Sequence, residues 1–185
     1  MNMVAIEDVE EYLGITSGTG GSVLASLVAE VSRNCAKFTG RTDWGGSSSR
    51  TEYHHGGNAW IAPRYWPITS VTSISDDPQH DWASSSDLDA GDYYVSTDDS
   101  GMIWLEGQHH TTNGQKSVKL VYTAGYTSTS AIPADLRLAA KVQVKHEWDI
   151  IRRPGRGESA EVGAGELLPQ VMKTLVNHTR RVPFA

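Results

Sequence analysis

Seven histidines, one cysteine and a run of aspartates are the residues of this 185-residue chain whose types could do chemistry. His54 and His55 are adjacent in a predicted strand, so their side chains leave opposite faces and cannot readily share one ion. His109 and His110 lie in a predicted loop with no third ligand at useful spacing. His146-Glu147 opens like a zinc-protease helix, but the position four residues after His146 is Ile150, where that motif needs a second histidine. Asp87, Asp89, Asp92 and Asp98 have some of the spacing of a calcium loop. Asp92 stands where the loop needs glycine, and Asp98 where it needs a bidentate glutamate. Turn-forming aspartates explain these residues more simply. Gly18-Thr19-Gly20-Gly21 precedes a helix but follows no strand and lacks the Lys-Ser/Thr pair of a phosphate cradle. No serine stands in a nucleophile-elbow pattern, and Cys35 falls on an apolar helical stripe as core filler. The expectation is a chain without catalytic residues, metal ligands or cofactor.

Composition points the same way. Hydrophobic residues make up 38% and charged residues 21%, the balance of an ordinary soluble protein, and no apolar run approaches the roughly 20 residues of a membrane helix. The acidic N-terminus MNMVAIEDVEE does not read as a signal peptide, and a single cysteine fits synthesis in a reducing cytoplasm. The net charge of −6 is unevenly spread. Between Trp66 and Gln115 there are nine acids and no Lys or Arg, whereas from Arg137 onward nine basic residues face five acids. The acidic stretch would repel nucleic-acid phosphates, and the basic end suits an acidic partner, although two solvated faces would carry the same charges.

The elements that must position these residues follow from periodicity. Ile6, Val9 and Leu13 predict a helix over 6–13, stopped by Gly14. Leu24, Leu27, Val28, Val31, Cys35 and Phe38 predict a second over 22–38, with Ser22 as its N-cap and Gly40 as its stop. Residues 51–122 read as short β segments. TEYHHGGNAWIAP reads as a hairpin around Gly56-Gly57-Asn58 and DYYVSTDDSGMIWL as a clearer one turning at 98–101. SVKLVYTAGY alternates Val118, Leu120 and Tyr122 as a half-buried strand. Pro133 and Asp135 open a helix over 133–151 that turns Leu136, Ala139, Ala140, Val144, Glu147, Trp148 and Ile151 to one broad face. Residues 153–165 lack apolar periodicity and read as a mobile loop. A last helix over 169–181 places Val171, Met172, Leu175 and Val176 inward. The whole reads as a single α+β domain, 1–185, mainly helical: a small bundle with an inserted antiparallel β element made of hairpins, and flexible loops.

VEEYLGI at the start, the helix ending AKFTGR, YWPITSVTSI, DYYVSTDDSGMIWL, the block KLVYTAGYTSTSAIPADLRLAAKVQVKHEWD and the closing LLPQVMKTLVNHTRR occur in an order that resembles the head–tail connector (adaptor, or head-completion) family of tailed bacteriophages. The resemblance covers most of the chain, and the order and spacing of the motifs carry it. It implies a structural virion protein at the head–tail interface. Such a protein binds as a ring, usually of twelve copies, beneath the portal protein, extends the DNA channel and offers a docking surface to a stopper or tail-completion protein. DNA passes without specific binding, no membrane is involved, and no catalytic residues are transferred. The middle acidic segment is long for the family, and the loop at 153–165 has no evident counterpart.

Two features fit a ring subunit on their own terms. Apolar and aromatic patches that neighbours cover are needed in a ring, and the chain has six Trp. The basic end Arg180, Arg181, Val182, Pro183 and Phe184 combines arginines with a terminal aromatic, the composition of an interface hot spot; the arginines would equally suit a helix C-terminus. A rival reading from another class is a carbohydrate-binding or tail-associated module stacking ligands on Trp60, Trp66, Trp82 or Trp104. A second rival is a small hydrolase built on paired acids.

Overall fold

The structure is a computed structural model that describes residues 1–45, 48–96, 101–107, 111–152 and 165–179. The described residues fall into two compact units, one helical and drawn from both ends of the chain, the other a β unit within residues 46–125.

The helical unit contains α1 (Ile6–Leu13), α2 (Gly21–Thr39), α3 (Ala134–Arg152) and α4 (Pro169–Asn177). The α2 stripe forms as its spacing requires: Leu24, Leu27, Val28, Val31 and Cys35 are buried, while Phe38 at the end stays half-exposed. Gly40 ends the helix in a left-handed conformation (φ 76°) that returns its N–H to Ala36 and Lys37 and that glycine adopts without penalty. Val9, Leu136, Ala140, Val144, Val171 and Leu175 complete a common core with the stripe. Trp44 and Tyr126 close this core. Their rings stack at 6.5 Å, and the Trp44 indole N–H donates to the Ser32 carbonyl at 2.8 Å. Burial pushes the Cys35 thiol up to about 12, so the cysteine is an inert space-filler.

The β unit holds β1 (Ser49–His54), β2 (Trp60–Ile61), β3 (Ile68–Asp76), β4 (Tyr93–Val95), β5 (Ile103–Leu105) and β6 (Val118–Ala124). They form two antiparallel three-stranded sheets, ordered β1-β6-β3 and β2-β5-β4. The central strand β6 alternates strictly, burying Val118, Leu120, Tyr122 and Ala124, which with Ile61, Ile74 and Ile103 make the core of this unit.

Two expectations are corrected. The fold is a mixed α+β structure and not a mainly helical bundle with a β insertion, because two sheets stand beside four helices among the described residues. The segment 51–61 is not a hairpin: β1 pairs with β6, Glu52 opposite Leu120, whereas β2 pairs with β5, Trp60 opposite Trp104. The Gly56-Gly57 turn passes the chain between sheets. A side chain at Gly56 would collide with the Thr112 carbonyl, and the Gly57 N–H donates to the Thr111 carbonyl at 2.9 Å. In the second segment β4 and β5 do pair antiparallel, and the expected turn lies largely outside the described residues.

Candidate assembly surfaces

Buried carboxylates hold loops of the helical unit in place. Glu10, buried on α1, accepts the Gly18 N–H at 3.0 and 2.9 Å and the Gly20 N–H at 3.1 Å. These backbone donors hold its carboxyl below the ordinary range. The glycine loop before α2 therefore closes around a carboxylate of its own chain, the place a phosphate would take in a nucleotide cradle. Gly20 is small by necessity, since a Cβ there would run into Leu24.

Glu147 serves a second clamp. The Gln143 side-chain amide donates to Glu147 Oε1 at 3.0 Å and to the Glu166 carbonyl at 2.7 Å, and its oxygen accepts the Leu168 N–H at 2.9 Å. The Gly165 N–H donates to Glu147 Oε1 at 3.0 Å. These bonds satisfy both ends of the buried Gln143 amide, as burial demands, and fix residues 165–168 ahead of α4; the loop expected over 153–165 lies, but for Gly165, outside the described residues. The end of α4 is tied too, by His178 Nε2 at 2.7 Å from Asp135 Oδ2. Burial would raise the Asp135 pKa, but His178 and the Leu136 N–H outweigh it and hold the carboxyl below its ordinary range. Between the two helices lies a cavity of about 270 Å³ lined by Asp135, Leu138, Ala139, Val142, Val171 and Thr174.

In the β unit the aspartates behave likewise. Asp77 accepts backbone N–H bonds from Gln79 (2.8 Å), His80 (3.2 Å) and Trp82 (2.6 Å). Burial works against the charge, and the donors more than offset it, so the carboxyl sits below its ordinary range. Asp76 accepts the Thr112 N–H and hydroxyl at 2.6 and 2.9 Å, Asp92 the Asp89 N–H at 3.0 Å, and Asp87 the Ser75 hydroxyl. His54 lies 3.1 Å from Glu52. Glu52 also accepts the Tyr122 hydroxyl at 2.5 Å and the Arg64 N–H at 3.0 Å, and Tyr122 in turn accepts the Tyr65 N–H at 3.2 Å. Desolvation pushes the Glu52 carboxyl up, but His54, Tyr122 and the Arg64 N–H leave it lowered. Burial and Glu52 push the Tyr122 phenol up. Among the described residues no group of three His, Cys, Asp or Glu side chains is placed to hold a metal ion. His109, His110 and Asp98 lie outside them.

The tryptophans offered as stacking platforms are spent on packing or paired with other rings. Trp66 is buried, and Trp60 and Trp104 face each other as half-buried cross-strand partners. Trp82 stacks parallel on His80 at 5.5 Å and meets Tyr53 at 5.2 Å. The candidate interface residues Arg180, Arg181, Val182, Pro183 and Phe184 lie outside the described residues, which end at Thr179, two residues beyond α4.

A family model described as head completion protein matches residues 2–182, nearly the whole chain. The chain belongs to the head completion protein family. Three solved structures share its fold. The neck of an empty gene transfer agent particle, computed with C6 symmetry, aligns at a TM-score of 0.58 and 18% identity, over 99% of this chain and 92% of the other. The virion of a native gene transfer agent particle aligns with the same TM-score, identity and coverages. The neck of the native particle, computed with C12 symmetry, aligns at 0.51 and 19%, over 100% and 96%. No curated protein matches the chain in sequence.

Several residues that matter in this head completion protein escaped the sequence reading. Glu10, Gln143, Asp77 and the Glu52–Tyr122 pair act through partners far away in sequence. Trp82 stood out in the sequence as an aromatic, but nothing local signals that it meets Tyr53 of β1.

Proposed function

We propose that this head completion protein is a structural, non-enzymatic subunit of the neck of a tailed phage or phage-like particle. Copies form a ring beneath the portal protein, twelvefold as in the C12-symmetric neck with the same fold. The ring extends the DNA channel and presents a docking surface to a stopper or tail-completion protein. The observation that carries this reading is the family match over residues 2–182, in a chain whose Glu10, Asp77 and Glu147 carboxylates are occupied by loop-holding bonds. Channel passage requires that DNA not be held, and the acidic stretch between Trp66 and Gln115 suits a wall that repels phosphate. The Arg180–Phe184 end acts as a docking arm on the portal or on a neighbouring subunit.

Mixing purified protein with portal protein, and with DNA-filled heads that lack it, tests the reading. Rings at the portal vertex and stable, tail-competent heads are expected. No association with portal and no ring under any condition would overturn it. Deleting residues 180–185 should leave folding nearly intact while abolishing attachment; normal completion by the truncated chain would remove the arm's role.

A further inference from the structure

The open face of the β1-β6-β3 sheet carries an aromatic surface with an unusual foundation. Tyr53, Lys119 and Ser75 lie abreast on β1, β6 and β3. The loop after β3 returns beside them, and the Asp77 carboxylate gathers the N–H groups of Gln79, His80 and Trp82. His80 (φ 64°) and Trp82 (φ 53°) are thereby held in the left-handed region, which bulky residues avoid unless their surroundings impose it. The outcome is display. The His80 and Trp82 rings lie parallel within 1°, Tyr53 leans on Trp82 and is 49% exposed, and His80 and Asp81 are exposed on the same loop. Lys119 Nζ lies 5.8 Å from the Trp82 ring, so this surface already has a cation of its own and offers Tyr53 and His80 to an apolar group.

Charge indicates the occupant. Residues 46–125 hold four Lys or Arg against ten Asp or Glu, while the rest of the chain holds twelve of each, so the whole net charge of −6 belongs to the β unit. The last six residues, Arg180 to Ala185, carry two arginines and a phenylalanine and no acid. A ring of more than two copies needs two different surfaces that fit each other on successive subunits. We propose that the Tyr53–His80–Trp82 surface of one subunit receives the Arg180–Phe184 segment of the next copy, with Phe184 against the Tyr53 and His80 rings and the arginines in the acidic field around Asp81. The proposal rests on the ring reading above and assigns the docking arm to a neighbour rather than to the portal. An aromatic anchor flanked by arginines is the composition on which association energy concentrates.

The test uses the full-length chain with Tyr53→Cys and Phe184→Cys, added to DNA-filled heads that lack the protein and then mildly oxidised. Native Cys35 is buried and stays out of the reaction. The expected result is a ladder of covalently joined copies on a non-reducing gel, absent from either single-cysteine variant. A bridge formed within one chain, or completed heads without any bridge, overturns the proposal and leaves the ring reading standing. Failure of the unmodified protein to join heads or portal would instead overturn the ring reading. Should the double-cysteine chain fold but not attach, a charge exchange decides. Arg181→Asp should lower head completion at least tenfold, and adding Asp81→Arg to the same chain should restore it; no loss, or no restoration, counts against the proposal.

Discussion

The helical unit and the β unit solve the same problem with different means. Among the described residues, eighteen buried apolar residues make the helical core and seven make the β core. The helical unit therefore rests on packing along long stripes, with two polar clamps, Glu10 and Gln143–Glu147, serving loops. The β unit has less apolar area to bury, and its carboxylates carry more of the organisation: Asp76, Asp77, Asp87 and Asp92 hold loops, and Glu52 joins β1 to β6 and to the chain at Arg64. Charge follows this division. Acids that hold loops remain acids in the field outside, so the unit built on carboxylates is also the one that carries the net charge.

Core truncation should have the largest effect, and in both units. Leu24→Ala and Leu120→Ala each remove a fully buried side chain and should cost about 2–5 kcal/mol of stability in denaturant melts. Equal, negligible losses at both sites would contradict the packing described. Next comes the clamp ahead of α4. Gln143→Ala leaves the Leu168 N–H and the Glu166 carbonyl without their partner and should cost about 1–3 kcal/mol, with faster amide exchange at Gly165 and Leu168. Unchanged exchange there would show that the clamp does not hold the segment.

Acid should discriminate more finely. Glu52 has a lowered pKa in the folded protein relative to an ordinary value of 4.5. Its stabilising contribution is therefore complete above about pH 4.5 and fades as pH falls through the lower folded value. Glu52→Gln should flatten the acid limb of the stability–pH curve while costing about 1–3 kcal/mol at neutral pH, because the Tyr122 hydroxyl and the Arg64 N–H lose a charged acceptor. A variant with an unaltered acid limb would show that Glu52 is not a titrating staple.

Why some of this was legible beforehand and some was not follows from the range of the interactions. The α2 stripe from Leu24 to Cys35 and the alternation of Val118, Leu120 and Tyr122 are local patterns, and each dictates its own element. β3 was only loosely legible, because its apolar residues Ile68, Val71 and Ile74 are three apart among Ser and Thr and the strand slips register twice against β6, between Ile68 and Ser70 and between Val71 and Ser73. The separation of β1 and β2 into different sheets depends on pairings such as Glu52 with Leu120, far outside any local window. A weak alternation and long-range pairing together made the chain read as more helical than it is. Among the side chains, aspartates were legible as turn formers. That Asp77 would force His80 and Trp82 into one surface was not, because two non-glycine residues in the left-handed region contradict local preference.

The central claim, that this chain completes heads as a ring, is most directly tested by adding the purified protein to DNA-filled heads that lack it and imaging the portal vertex. A closed ring of copies under the portal, with heads that then keep their DNA and accept tails, is the predicted result. Heads that stay leaky, with no protein at the vertex despite a folded chain, would contradict it.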